Sequence, residues 1–216
     1  MKNIILICSF CFVANLSAAQ HKEYLYVGTY SIRDGDGIFV YEFNRARRSL
    51  SLVQRVKTLE SPTYLEIHPS RKFLYAVNRG SISSAEPGGS VTAYSISKTT
   101  GKLTFLGNRP SYGSNPCHIS IDNTGNYAFV SNYEEGNLVV FPLFEDGLIG
   151  NPTDSKKYSG SSIHESRQRT PHIHMAQVSP DNRFVFVSDL GTDKLYRYQF
   201  DENDGKLLST SQNEIN

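Results

Sequence analysis

The sequence predicts an all-β chain folded as a β-propeller, and three observations carry that expectation. Aromatic residues are abundant, with 13 Tyr and 12 Phe among 216 residues. Gly, Asn, Asp, Ser and Pro recur at roughly the eight-to-twelve-residue spacing that separates short strands. One segment appears four times: Tyr24-Leu-Tyr-Val-Gly-Thr29, Phe73-Leu-Tyr-Ala-Val-Asn78, Tyr127-Ala-Phe-Val-Ser-Asn132 and Phe184-Val-Phe-Val-Ser-Asp189. The copies are 49, 54 and 57 residues apart.

The elements follow in order within each repeat. After the repeated segment come a turn and an alternating strand, at residues 37–43, 90–96, 137–143 and 194–200. A polar turn and a weaker outer strand then follow at residues 48–53, 101–106 and 205–209; in the third repeat residues 146–150 take that place. A leading strand opens repeats two to four, each after a proline: Pro62, Pro116 and Pro171. Each unit is thus a four-stranded antiparallel blade that can bury its faces only by stacking on its neighbours. A β-sandwich has short strands too, but it does not explain four aligned copies.

The first unit lacks a leading strand, and the polar stretch from Leu208 to Asn216 follows directly on the fourth. The chain is therefore read as the N-terminal part of a longer propeller. Its open blade edges and faces, notably Phe184–Val187 and Leu195–Phe200, are expected to favour self-association.

Residues 1–19 stand apart. Lys2, the mainly apolar run Ile4–Leu16 and the small residues Ser17-Ala18-Ala19 have the layout of an export signal. The run is too short for a membrane span, and Cys8 and Cys11 lie inside it rather than at a lipidation site. Residues 20–216 are then the propeller domain of a secreted or periplasmic protein. Removing the signal takes Lys2 and no acid from the 22 basic and 21 acidic residues, leaving 21 of each. That balance argues against a nucleic-acid or anionic-membrane partner. Cys117 is the one cysteine outside the signal, so no intrachain disulfide forms; it reads as a small buried apolar residue.

The chemistry concentrates at the head of the stretch from His164 to Phe200. His172 and His174 share one side of a leading strand by the period of two, and Arg167 and Arg169 precede them. His118 stands at what looks like the matching head of the previous leading strand. Imidazoles near neutral pKa transfer protons, and guanidinium groups bind carboxylate or phosphate. No metal-ligand spacing accompanies the single His-x-His pair. Asn78, Asn132 and Asp189 recur at one blade position and read as turn-forming residues. Ser159-Gly160-Ser161-Ser162 and the stretch from Ser83 to Gly89 read as exposed loops.

Several of these strings resemble a known family: LYVGTY at 25–30, PCHISID at 116–122, Asn132 with VVFPL at 139–143, and above all RQRTPHIHM at 167–175 with SPD at 179–181 and VSDLGTDKLYRY at 187–198. They are similar to the lactonase family of seven-bladed propellers, the bacterial 6-phosphogluconolactonase type related to the fungal carboxymuconate lactonizing enzyme. The resemblance covers the chain from about Tyr24 onward. It implies seven blades, of which about four are present here, and hydrolysis of a sugar lactone with no metal or cofactor. It also implies that His174 is the catalytic histidine in a central cleft, with His172, His118, Arg169 and Arg167 as candidates for substrate binding. The family's site also draws an arginine and a glutamate from the next blade, in strings resembling G-P-R-H and N-E; no G-P-R-H string occurs in this sequence. The expected small-molecule partner is a sugar lactone or sugar acid. Two other readings remain beside it: an exported propeller that binds a glycan or protein without catalysis, and a lactonizing cycloisomerase.

Overall fold

The structure is a computed structural model and describes residues 22–30, 37–57, 61–80, 88–209 and 213–215. The proposed export signal, residues 83–87 of the loop ending at Gly89, and several residues of the C-terminal stretch lie outside the described residues. Four antiparallel sheets follow one another along the chain. Blade 1 has three strands, β1 (Glu23–Gly28), β2 (Ile38–Asn44) and β3 (Ser49–Val56). Blade 2 has β4 (Ser61–Ile67), β5 (Phe73–Arg79), β6 (Ser90–Ile96) and β7 (Leu103–Pro110). Blade 3 has β8 (Pro116–Ile121), β9 (Tyr127–Asn132), β10 (Asn137–Pro142) and β11 (Asp154–Lys157). Blade 4 has β12 (Ile173–Val178), β13 (Phe184–Asp189), β14 (Lys194–Asp201) and β15 (Lys206–Leu208), and β16 (Glu214–Ile215) pairs with β14. The leading strands β4, β8 and β12 match the repeat read from sequence, and among the described residues none precedes β1.

One strand differs from that reading. The outer strand of blade 3 is β11 at Asp154–Lys157, not the stretch at 146–150. Asp146-Gly147-Leu148 closes a tight turn instead: Asp146 Oδ1 accepts the Leu148 amide at 3.0 Å, and Phe144 N donates to Leu148 O at 2.9 Å. The chain then returns to β10, where Thr153 N donates to Val140 O. A Gly in a turn is not by itself the start of a strand, and the period-two pattern was too short to tell the two apart.

Stacking explains which strands are apolar on both faces. In β5, Leu74 and Ala76 pack toward blade 1 with Ile38 and Val40, while Tyr75 and Val77 pack toward blade 3 with Ile119 and Val130. In β9 and β10, Ala128, Val130, Val139 and Phe141 face blade 2, and Tyr127, Phe129, Leu138 and Val140 face blade 4. Blade 4 has one packed face. Val185, Val187, Tyr196, Tyr198 and Phe200 are buried against blade 3, whereas Phe184 and Phe186 are half-buried and Met175, Leu195 and Leu208 exposed. The guanidinium groups of Arg183 and Arg197 lie over the Phe184 ring at 5.6 and 5.5 Å. The expectation of an uncovered face in blade 4 therefore holds for one side of each strand only. Blade 1 likewise exposes Leu25, Val27, Leu50 and Leu52.

A repeated stitch holds the blades in register. The first aromatic of the recurring segment, Tyr24, Phe73 or Tyr127, packs on the turn glycine of the next blade's outer region: Gly101, Gly147 or Gly205. All three glycines have positive φ and a Cβ there would overlap the ring. The Tyr24 hydroxyl donates to Thr99 O at 2.9 Å and that of Tyr127 to Asn203 O at 3.0 Å.

Candidate functional site

The leading strands share an irregularity that places the site. Each pairs with the second strand of its blade, and in each the register slips by one residue at the same point. Pro62 lies opposite Asn78 and Tyr64 opposite Val77; Pro116 opposite Asn132 and His118 opposite Ser131; Ile173 opposite Asp189 and Met175 opposite Ser188. The residue passed over is Thr63, Cys117 or His174. A bulged residue leaves the ladder, and its side chain is re-aimed. All three bulged residues line one cleft of about 290 Å³. The bulges also link the leading strands sideways. Thr63 Oγ1 donates to Pro116 O at 3.0 Å, and the Cys117 thiol to His174 O at 3.4 Å.

A second set of lining residues comes from the ends of the second strands. The recurring polar residues there fasten turns, as their recurrence suggested. Asn78 Nδ2 donates to Ser90 Oγ and Thr92 Oγ1 at 3.0 and 2.7 Å. Asn132 Nδ2 donates to Asn137 Oδ1 at 2.9 Å. Asp189 accepts the His172 and Gly191 amides and the Thr192 hydroxyl at 2.7, 2.9 and 2.7 Å. The next residue along, Arg79, Tyr133 or Leu190, lines the cleft, as does Tyr30, which follows Thr29 at the corresponding place in blade 1. The sequence reading named none of these four. The signal was present in the recurrence itself, one position after the polar residue.

Tyr133 gathers the chemistry of blade 4. The His172 ring stacks on it, with centroids 4.3 Å apart and planes within 7°. His174 meets it edge-on at 5.8 Å. Arg167 Nη2 donates to its hydroxyl at 3.4 Å. His172 Nδ1 lies 3.1 Å from the Tyr133 carbonyl oxygen. A carbonyl only accepts, so Nδ1 carries the proton and Nε2 of the neutral ring keeps its lone pair. Both histidines meet Tyr133, but His172 precedes β12 and His174 is its bulge, so strand alternation is not what brings them together. The loop carrying Arg167 is anchored by buried Gln168, whose Nε2 donates to Leu190 O and Asp193 Oδ1 at 2.9 and 2.6 Å and whose Oε1 accepts the His164 amide at 2.9 Å.

The structure separates the expected site residues. His174 and Arg167 line the cleft, and His172 stands beside them on Tyr133. Arg169 is not among the lining residues; its Nε donates back to the Glu165 carbonyl. His118 is a correction. The register makes Cys117, not His118, the counterpart of His174. His118 corresponds to Tyr64 and Met175 and is buried between blades, its ring 4.5 Å from that of Tyr64. Its Nδ1 has no hydrogen-bond partner. Burial pushes its pKa down to about 4, helped by the nearby His174, so it is neutral at ordinary pH. Cys117 is half-buried and lines the cleft, which the reading as core filler missed. Burial pushes its thiol up to about 11, against a smaller opposing pull from Arg79, so it is no thiolate nucleophile near neutrality.

The cleft thus joins an exposed imidazole at a bulge, a second imidazole of fixed tautomer, and two guanidinium groups. Such a set can accept a proton from water and hold an anion nearby.

Comparisons with known proteins bear on the family and the fold. Residues 24–216 match the family model described as lactonase, 7-bladed β-propeller. The chain is 36% identical over 185 residues to a 6-phosphogluconolactonase of Bacillus subtilis, covering 86% of this chain and 51% of that protein. It is 31% identical over 176 residues to a 6-phosphogluconolactonase of Formosa agariphila, covering 81% and 49%. The solved structure of a periplasmic gluconolactonase of Pseudomonas aeruginosa superposes with a TM-score of 0.81 at 27% identity, covering 90% of this chain and 55% of that one. The chain spans about half the length of the relatives it matches.

Proposed function

Because the chain belongs to the lactonase family of seven-bladed β-propellers, we propose that the whole protein hydrolyses a sugar lactone and that His174 is the base in its cleft. Water attacks the lactone carbonyl as His174 accepts its proton. The tetrahedral oxyanion collapses with cleavage of the ring C–O bond, and the proton passes to the departing alkoxide. The product is the open hydroxy acid, one water added. Arg167, which donates to the Tyr133 hydroxyl and lines the same cleft, would hold an anionic group of substrate or product, and His172 would contact the sugar. The observation that carries the reading is the bulge in β12, which turns His174 out of the ladder and into a cleft shared with Arg167.

The named activities of the relatives support lactone chemistry, and the periplasmic neighbour from Pseudomonas aeruginosa supports export through residues 1–19. In this reading residues 20–216 belong to the propeller domain, and an unphosphorylated aldonolactone suits an exported enzyme as well as a phosphorylated one. Hydrolysis of glucono-δ-lactone and of its 6-phosphate by the full-length protein tests the proposal. His174→Ala abolishing turnover of a folded protein supports it; unchanged turnover overturns it.

A further inference from the structure

Arg79 is the only charged residue among the four equivalent axis positions, Tyr30, Arg79, Tyr133 and Leu190. Its Nε donates to Asn115 Oδ1 at 2.7 Å, which fixes the plane of the guanidinium across the gap between blades 2 and 3. Its Nη2 lies 3.5 Å from Glu134 Oε1, a long contact between side chains 43% and 51% exposed. An exposed pair of that length contributes little to stability, so a tighter anion can displace the carboxylate at small cost. Arg79 also sits close to the catalytic floor: its charge is felt at the Cys117 thiol, which touches the His174 backbone. The other guanidinium, Arg167, approaches from blade 4 through Tyr133. Among the described residues two cations and one carboxylate therefore border the cleft, an arrangement suited to an anionic ligand.

We propose that Arg79 is a specificity-determining residue that receives an anionic substituent of the ligand, phosphate or carboxylate, remote from the carbonyl attacked beside His174, and that Glu134 competes with that substituent for the guanidinium. This rests on the lactonase reading for the identity of the carbonyl, though not for the anion contact itself. The two partners of one ion pair then act in opposite directions. Removing Arg79 weakens anion binding, and removing the charge of Glu134 strengthens it. A merely structural pair would lose binding, or stability, in the same direction from either side.

The test is calorimetric titration of the full-length protein with 6-phosphogluconate, gluconate and inorganic phosphate, alongside KM for neutral glucono-δ-lactone. Arg79→Gln is expected to weaken 6-phosphogluconate at least tenfold while KM for the neutral lactone stays within twofold. Glu134→Gln is expected to tighten the same ligand at least threefold. A gain and loss confined to 6-phosphogluconate and phosphate identifies a remote phosphate site; one shared equally by gluconate, whose only carboxylate is the former lactone carbonyl, places Arg79 at the reacting carbon and overturns the proposal. Equal losses for charged and neutral ligands, or a weakening by Glu134→Gln, overturn the proposal. If the wild-type protein turns over no lactone, the lactonase reading fails by itself. The phosphate titration then decides Arg79: binding lost in Arg79→Gln upholds it, and no binding in wild type overturns it.

Discussion

His118 and His174 sit on neighbouring leading strands, one residue out of step, and that single step gives them different chemistry. His174 occupies the bulge of β12 and stands exposed in the cleft. His118 follows the bulge of β8, returns to the ladder opposite Ser131, and is packed between blades against Tyr64. A bulge presents a side chain to the axis; the regular position beside it presents one to the neighbouring sheet. The lesson is that in a propeller the ladder register, more than residue type, separates a site from a core.

Replacing both histidines separately gives the largest expected contrast. His174→Ala should lower lactone turnover by roughly 10²–10⁴-fold, the usual worth of a general base, with stability within about 0.5 kcal/mol because the side chain is exposed. His118→Phe should leave turnover near wild type. Steady-state kinetics paired with urea unfolding of the same samples reads both quantities, and a His118 variant that folds but loses turnover would break the comparison.

The next effect is the pH dependence contributed by His118. Its folded pKa, about 4, lies below the ordinary value of 6.5, so the unfolded chain binds the proton more readily. Stability therefore rises with pH across this window, is complete above about 6.5, and erodes as pH falls toward 4. That difference amounts to about 3 kcal/mol. In His118→Phe the loss of stability between pH 7 and pH 4 should shrink by that amount, as measured by denaturant unfolding at each pH.

Glu66 sharpens the comparison from the acidic side. It holds a regular position in β4, opposite Tyr75, and burial pushes its carboxyl up to about 7. Here the folded state keeps the proton longer, so stability falls as pH rises from about 4.5 through 7. Glu66→Gln should stabilise the protein by about 2 kcal/mol at pH 8 and hardly at all at pH 4; an equal gain at both would show that ionisation is not the cause. Tyr133→Ala removes the ring on which His172 stacks. It should cost about 1 kcal/mol, the value of an aromatic pair, and it should broaden the His172 resonances as the ring loses its fixed orientation. The smallest effect belongs to Arg169→Ala, expected to change neither ligand affinity nor, beyond about 0.5 kcal/mol, stability.

Much of the fold was legible because repetition averages out local ambiguity. The four copies from Tyr24, Phe73, Tyr127 and Phe184 located the second strands, and the prolines located the leading ones. The bulges were not legible. Alternation in Cys117-His118-Ile119 or Ile173-His174-Met175 looks the same with or without an extra residue, so His118 was placed at a matching strand head when its counterpart in the ladder is Met175. Arg79 and Tyr133 were passed over for a different reason. They sit where the second strands end, Arg79 as the last residue of β5 and Tyr133 just past β9, and only their place after Asn78 and Asn132 distinguishes them from surface residues. Arg167 and Arg169 looked equivalent in sequence; the Gln168 anchor, with its bonds to Leu190 and Asp193, turns only the first toward Tyr133.

The most direct test of the bulge register is a histidine-labelled NMR titration of the full-length protein with 6-phosphogluconate. Six histidines occur in the sequence, and single substitutions assign their ring signals. The ring resonances of His174 and His172 should move with ligand concentration while those of His118 stay in place. Movement of His118 with His174 unchanged would contradict the assignment of the cleft to the bulged positions.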